Sequence, residues 1–105
     1  MNITYPTTLV LMALGNGFRH GFDVMDATGL PSGTVYPILR RLDREGLVHS
    51  QWEREGVAHR EQRPPRRYYE LTALGERMLE QSLERHRAAA IVVPRLVTRP
   101  HPQQG

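Results

Sequence analysis

The residues whose types and spacing most clearly indicate binding chemistry are arginines on one short predicted helix in the middle of the chain. Arg40, Arg41 and Arg44 crowd one face of the segment 30–45, and a guanidinium has five planar donors that suit phosphates and guanine edges. The other face is apolar, because aliphatic residues recur there at three- and four-residue spacing: Val35, Ile38, Leu39 and Leu42. Such a helix is typical of one that packs on a small domain and contacts DNA. The alternative is a solvated face on which Asp43 and Glu45 pair with the arginines.

The first turn of this helix forms a second group of candidate DNA contacts. A recognition helix enters the major groove by its N-terminus, so hydroxyls and backbone N–H groups in that turn can reach phosphates and base edges. The members of this group are Ser32, Gly33, Thr34 and Tyr36. Two of them have a structural alternative, because Ser32 can cap the helix and Tyr36 can be a half-buried aromatic. Pro37 removes one i→i−4 hydrogen bond, and we expect it to bend this turn away from the helix body.

Two shorter predicted helices come before the arginine-bearing helix. The first has Pro6 in its first turn and is apolar on most sides, so we expect it to be buried. A Gly-Asn-Gly sequence at 15–17 then breaks the chain, and a second helix spans about 20–27. Only a few residues join this helix to the third, so the two must meet at a steep angle. That arrangement is the helix-turn-helix pattern.

Two runs with a period of two follow, at 47–53 and 66–72, and they predict a pair of strands. The polar stretch between them contains one glycine and two prolines, so the strands form a hairpin, which directly after a helix-turn-helix is a wing. Residues 54–67 hold five arginines against two glutamates. The third group of candidate DNA contacts lies here: Arg54, His59, Arg60, Arg63, Arg66 and Arg67. A narrow minor groove attracts such cations, and the alternative is a solvated loop.

Trp52 lies in the first predicted strand, among positions that alternate into the predicted core. We therefore expect it to pack the wing against the third helix. The alternative is that it lines a ligand site.

A long final helix is predicted from Ala73 to about Val92, because Thr72 can cap its start and Pro94 ends it. Its apolar side and the apolar first helix exceed what so small a body can cover, so we predict a homodimer. The residues assigned to its interface are Leu9, Met12, Leu79, Leu83, His86 and Ala90. The resulting division is a DNA-binding domain at 1–72, a dimerisation helix at 73–93 and a disordered tail at 94–105.

The composition limits what the chain can do. Its 105 residues suit one domain, there is no cysteine, and all 14 basic residues are arginine. The lack of cysteine excludes disulfides, thiolate metal sites and cysteine nucleophiles. The five histidines have no metal-ligand spacing, and no phosphate loop or nucleophile–base pair occurs, so we expect no enzyme activity, no cofactor and no metal. The N-terminal apolar run is too short to span a bilayer, so the expected location is the cytoplasm.

Two motifs resemble the PadR family of bacterial winged-helix transcriptional regulators: GTVYPILRRLDREGLV at 33–48 and YYELTALG at 68–75. The resemblance covers about residues 5–85. It implies a mainly α fold with a small β hairpin, in the winged helix-turn-helix order α-α-α-β-β-α with a C-terminal dimerisation helix. The single predicted helix after the wing resembles the short subfamily. The connection between the second and third helices is shorter than is usual in the family.

The resemblance also implies a function. Family members are typically homodimers that bind palindromic operators, usually as repressors, so the expected partners are double-stranded DNA and a second copy of this chain. Some members bind flat aromatic drugs on a tryptophan of the final helix, but the predicted final helix here has none, and a small-molecule effector stays unknown. The alternative is a winged-helix module that binds proteins and does not read DNA. Such a module would carry acidic or apolar residues in place of Arg40, Arg41 and Arg44.

Overall fold

The computed structural model describes residues 3–95, and within them the chain forms six helices and one two-stranded sheet. The elements are α1 (Tyr5–Gly15), α2 (Gly21–Thr28), α3 (Ser32–Arg44), β1 (Val48–Trp52), α4 (Val57–Arg60), β2 (Arg67–Leu71), α5 (Ala73–Arg85) and α6 (Ala89–Val92). This order confirms the predicted fold class, mainly helical with a small β hairpin. The short α4 inside the wing loop was not predicted.

Helix α1 lies at the centre of the core. Thr4 caps its start by accepting a hydrogen bond from the Thr7 backbone N–H, and Pro6 follows in the first turn, as predicted. Val10 and Leu11 are fully buried, which confirms the burial expected of a helix that is apolar on most sides. Helix α3 packs its apolar stripe on this core through three fully buried residues: Val35, Leu39 and Leu42. Each buried leucine of this kind stabilises the fold by about 1.5–3 kcal/mol.

A three-residue turn joins α2 to α3 and makes the predicted helix-turn-helix. Gly29 ends α2 in the left-handed conformation, with a φ of 74°, and its N–H donates to a carbonyl of the last turn. Pro31 occupies the N-cap position of α3. At the other end Gly46 has a φ of 77°, and the Leu47 N–H donates back to the Leu42 carbonyl over 2.9 Å. The helices therefore end within a residue of the positions that the sequence predicts, about 27 and 45.

The antiparallel hairpin of β1 and β2 forms the wing, with Trp52 directly opposite Arg67. Val48 and Tyr69 lie on the same face of the hairpin, closer to the core, and both are buried. The Tyr69 N–H also donates to the Arg19 carbonyl over 2.8 Å. The wing is therefore tied to the segment that leads into α2.

The prediction of one long final helix, from Ala73 to about Val92, is wrong. Helix α5 ends at Arg85, the chain turns at 86–88, and the short α6 packs back on α1. At this turn the His86 ring meets the Tyr5 ring edge-on, with 5.7 Å between centroids, and Ala89 is fully buried. An alanine-rich segment suits a helix on either side of a turn, so periodicity alone could not locate the reversal. The predicted dimerisation helix is thus two helices.

The predicted disordered tail, 94–105, starts at a residue that the fold holds. The Pro94 carbonyl accepts a hydrogen bond from the Asn16 side chain over 3.1 Å, and Val93 beside it is buried. The rest of that prediction, 96–105, lies outside the described residues. None of the helices within 3–95 has the length and apolarity needed to cross a membrane.

Candidate nucleic-acid interface

The outer face of α3 carries two arginines that have no partner in the described part of the chain. Arg40 and Arg44 are exposed, and neither side chain forms an ion pair or hydrogen bond within residues 3–95. Arg41 differs, because it is half-buried and its Nε lies 3.7 Å from Glu45 Oε2. The pairing expected of a solvated face is therefore present at one arginine, and the other two remain available to an anion.

Asp43 joins α3 to the wing rather than to the arginines beside it. Its Oδ2 accepts a hydrogen bond from Ser50 Oγ over 2.8 Å and lies 3.6 Å from Arg67 Nη2. Arg67 Nη2 also donates to Ser50 Oγ over 2.8 Å. The register of the hairpin places Ser50 and Arg67 on one face, and no sequence pattern pairs either of them with Asp43. This network fixes the wing relative to α3.

The first turn of α3 is open at its start. Ser32 and Gly33 are exposed and Thr34 is half-buried. Because Pro31 holds the N-cap position, Ser32 does not cap the helix. Tyr36 is half-buried, and a methyl group added to Gly21 would overlap its phenol, so the missing side chain of Gly21 lets α2 and α3 approach closely. The helix continues through the internal proline, and the bend there stays a prediction.

The wing loop is closed by Arg63, whose guanidinium faces inward. It binds both carboxylate oxygens of Glu53, at 2.7 and 3.0 Å, and its Nε donates to Glu61 over 2.9 Å. The Glu53 side chain is 5% exposed. The Arg63 hydrogen bonds, with one from the Arg66 backbone N–H, lower the pKa of Glu53 to about 2. Three other predicted contacts of the loop are exposed: Arg54, His59 and Arg60.

An open cavity of about 800 Å³ lies between the start of α2, α3 and the wing, and we call it the α3–wing cleft. It brings together six predicted contacts: Tyr36, Arg40, Arg44, Arg63, Arg66 and Arg67. It does not include the other seven: Ser32, Gly33, Thr34, Arg41, Arg54, His59 and Arg60. The remaining lining was not assigned to a DNA contact: His20, Gly21, Phe22, Asp43, Trp52, Pro64, Pro65 and Tyr69. Cationic and aromatic groups thus share one concave surface.

The expected place of Trp52 in the core is wrong. Trp52 is 61% exposed at the far end of β1. The Arg67 guanidinium lies over its indole ring, 5.2 Å from the ring centroid. Alternation correctly puts Trp52 on the same face as the buried Val48, but that face extends beyond the core before it reaches Trp52.

Burial shifts the pKa of two groups that line the α3–wing cleft. It lowers the pKa of His20, against the attraction of Asp23 at 3.1 Å, and Arg66 nearby lowers that pKa further. It raises the pKa of Tyr69. The His20 ring also meets the Tyr68 ring edge-on at 5.6 Å. Within residues 3–95 no group of three or more His, Asp or Glu side chains could hold a metal ion.

The predicted dimer residues are only partly at the surface of the single chain. Leu9 is buried inside its own chain, and His86 Nε2 lies 3.3 Å from the Ile3 carbonyl oxygen. Three others are half-buried, and the last is exposed: Met12, Leu79, Leu83 and Ala90. The interface itself stays a prediction.

Comparison with known families gives one match along the chain. The model of the transcriptional regulator PadR-like family matches residues 10–81, from α1 into α5. A comparison with curated proteins finds no match.

Solved structures share this fold. A PadR family transcription regulator from Clostridium difficile is 24% identical, with 85% of this chain and 94% of that chain covered and a TM-score of 0.67. A second, from Eggerthella lenta, is 26% identical, with 83% of this chain and 79% of that chain covered and a TM-score of 0.60. Bacillus subtilis PadR in complex with operator DNA is 21% identical, with 93% of this chain and 55% of that chain covered and a TM-score of 0.63. The family model matches well over half of this chain, and the architecture agrees with that of the solved PadR structures. The chain therefore belongs to the PadR-like family of transcriptional regulators.

Proposed function

We propose that this regulator binds operator DNA as a homodimeric, sequence-specific repressor, through α3 and the wing. The observation that carries the proposal is the charge of the α3–wing cleft, which five arginines and a single aspartate line. Arg40 and Arg44 have no side-chain partner within residues 3–95. Such a concentrated excess of arginine is the electrostatic footprint of nucleic-acid binding. The similar Bacillus subtilis structure contains operator DNA, which supports the same partner here.

The candidate contacts divide by their position on the interface. The open first turn of α3 would enter the major groove and meet base edges through Ser32, Gly33 and Thr34. The arginines that follow would neutralise phosphates on either side: Arg40, Arg41 and Arg44. The exposed wing cations Arg54, His59 and Arg60, with the half-buried Arg66, would reach the neighbouring minor groove or its phosphates.

Three predicted contacts instead support the shape of the interface. Arg63 has its donors engaged by Glu53 and Glu61, so we assign it to holding the wing loop. Arg67 is held by the Asp43 network, and Tyr36 is packed at the start of α2. Their substitution should weaken DNA binding through the position of the wing or of α3.

A homodimer is the assembly that fits this function. Helix α6 leaves apolar side chains in solvent, with Ile91 87% exposed and Val92 47% exposed. A second copy would cover these together with the predicted interface residues on α1 and α5. Two-fold symmetry would place the two α3 helices about one DNA turn, ~34 Å, apart and would require a palindromic operator. Light scattering at micromolar concentration tests this, and a monomer would contradict it.

The test of DNA binding is affinity across a salt series, on a duplex selected from a random pool by the wild-type protein. About six to ten phosphate contacts predict a slope of log K against log salt of about −5 to −9. Arg40→Ala and Arg44→Ala should each make the slope shallower by about 0.9 for every phosphate that is no longer neutralised, and so by about twice that in a dimer. Arg77→Ala, at an exposed arginine of α5 outside the cleft, is the matched control and should leave the slope unchanged. A flat salt response of the wild type would remove DNA as the partner.

We also assign the protein a cytoplasmic, non-catalytic role, because its family consists of transcriptional regulators, which generally are not enzymes. The selected duplex, placed within a promoter that drives a reporter, distinguishes a repressor from an activator. Reporter expression should fall when the protein is present. A rise would contradict the repressor assignment.

A further inference from the structure

Two large apolar side chains remain exposed in the α3–wing cleft. Phe22 at the start of α2 is 67% exposed, and Trp52 at the end of β1 is 61% exposed. Apolar side chains that gather on one exposed surface generally mark an interaction site. Neither residue has a role in the proposed interface so far, since its candidate contacts in the cleft are arginines and a tyrosine.

Trp52 is held in a defined position. It lies opposite Arg67 in the hairpin, and the guanidinium covers the indole ring at 5.2 Å. Arg67 is itself held by Ser50 Oγ at 2.8 Å and by Asp43 Oδ2 of α3 at 3.6 Å. The indole is therefore linked by side-chain contacts to the helix that carries Arg40. Because its place is set before binding, little entropy is lost when a ligand packs against it.

The α3–wing cleft matches the chemistry of a single DNA strand. Such a strand alternates phosphates, which arginines bind, with deoxyriboses, whose largely apolar C–H surface can pack against an aromatic ring. The proposed function places α3 in the major groove and the wing at the neighbouring minor groove, and one phosphodiester strand separates those two grooves. Resting on that function, we propose that the cleft seats this strand and that Trp52 packs against one of its deoxyriboses. Trp52 is then a DNA-contact residue.

The chain contains one tryptophan, so its fluorescence reports on this contact alone. The wild-type protein is titrated with the duplex selected from a random pool, while anisotropy of the labelled duplex follows binding independently. The expected result is that Trp52 becomes less accessible to acrylamide over the DNA concentrations at which anisotropy rises.

Substitution gives a second measurement. Trp52→Ala should weaken binding by at least about fivefold, which corresponds to about 40 Å² of apolar ring surface that is no longer removed from water on binding, at about 25 cal/mol per Å². Trp52→Phe should restore part of the affinity. Leu74→Ala, which truncates an exposed apolar side chain of α5 outside the cleft, is the matched control and should bind as the wild type does. Circular dichroism checks that each variant folds, and if Trp52→Ala does not, the wild-type quenching decides.

The outcomes separate this inference from the function on which it rests. DNA binding with unchanged acrylamide quenching of Trp52 would overturn the inference and leave the proposed function intact. Failure of the wild-type protein to bind any duplex would overturn the proposed function, and the inference with it.

Discussion

Replacing Gly75 with alanine should destabilise the fold, although alanine is the better helix former. Gly75 lies in the first turn of α5, where its N–H donates to Thr72 Oγ1 over 3.1 Å. A methyl group there would overlap the Leu47 carbonyl oxygen and come within 3.2 Å of Leu71 Cδ2. That carbonyl is held in place, because it accepts the Thr72 backbone N–H over 3.1 Å. The substitution must therefore push α5 away from the turn that joins α3 to β1.

The expected loss of stability combines two opposing effects. The higher helix propensity of alanine stabilises a helix by at most about 1 kcal/mol relative to glycine. An extra methyl group in a packed site costs about 1–3 kcal/mol, and here the obstacle is backbone rather than a flexible side chain. Because a backbone obstacle puts the cost in the upper part of this range, about 2–3 kcal/mol, the net loss is about 1–2 kcal/mol, which lowers the Tm by about 4–16 °C in a domain of this size. Circular dichroism at a fixed protein concentration measures it, because the Tm of the proposed dimer would depend on concentration.

Gly33→Ala is the matched control. Gly33 also lies in the first turn of a helix, and nothing lies within 4 Å of the methyl group that it would gain. Its Tm should stay the same or rise slightly. A Gly75→Ala protein that is as stable as Gly33→Ala would refute the reasoning, since the two substitutions differ chiefly in what the new methyl group meets.

Three further substitutions test other contacts. Gly21→Ala should lower the free energy of unfolding by about 1–3 kcal/mol in urea denaturation, because its methyl group would displace the Tyr36 phenol from between α2 and α3. Thr72→Val should lower it by about 0.5–2 kcal/mol, since the hydroxyl caps α5 and donates to a carbonyl of the turn before β1; an unchanged midpoint would contradict this. The lowered pKa of Glu53, about 2 against 4.5, means that its ion pair with Arg63 stabilises the wing above about pH 4.5 and is lost as the pH falls towards 2. NMR shifts of the loop amides should move over that range, and Glu53→Gln should show the shifted positions at neutral pH.

Local sequence was sufficient to place most elements of the fold, because the interactions that start and stop them act over a few residues. Gly29 and Gly46 end α2 and α3 in left-handed conformations, close to the predicted ends of these helices, and Thr72 caps α5 as predicted. Periodicity likewise assigned the buried face of α3 and the two faces of the hairpin, since side-chain direction follows directly from the backbone repeat. These local features, with the two motifs, were enough to indicate the family.

The tertiary structure decided what lies at the site, because its contacts join residues that are distant along the chain. Alternation assigns Trp52 to a face but cannot say where along that face the core ends, and so the exposed indole was missed. Charge alone cannot tell that Arg63 turns inward to Glu53 while Arg40 faces solvent. The return of α6 onto α1 likewise depends on packing between opposite ends of the chain. Sequence thus located the arginines, and only the packed chain determined which of them are free to meet DNA.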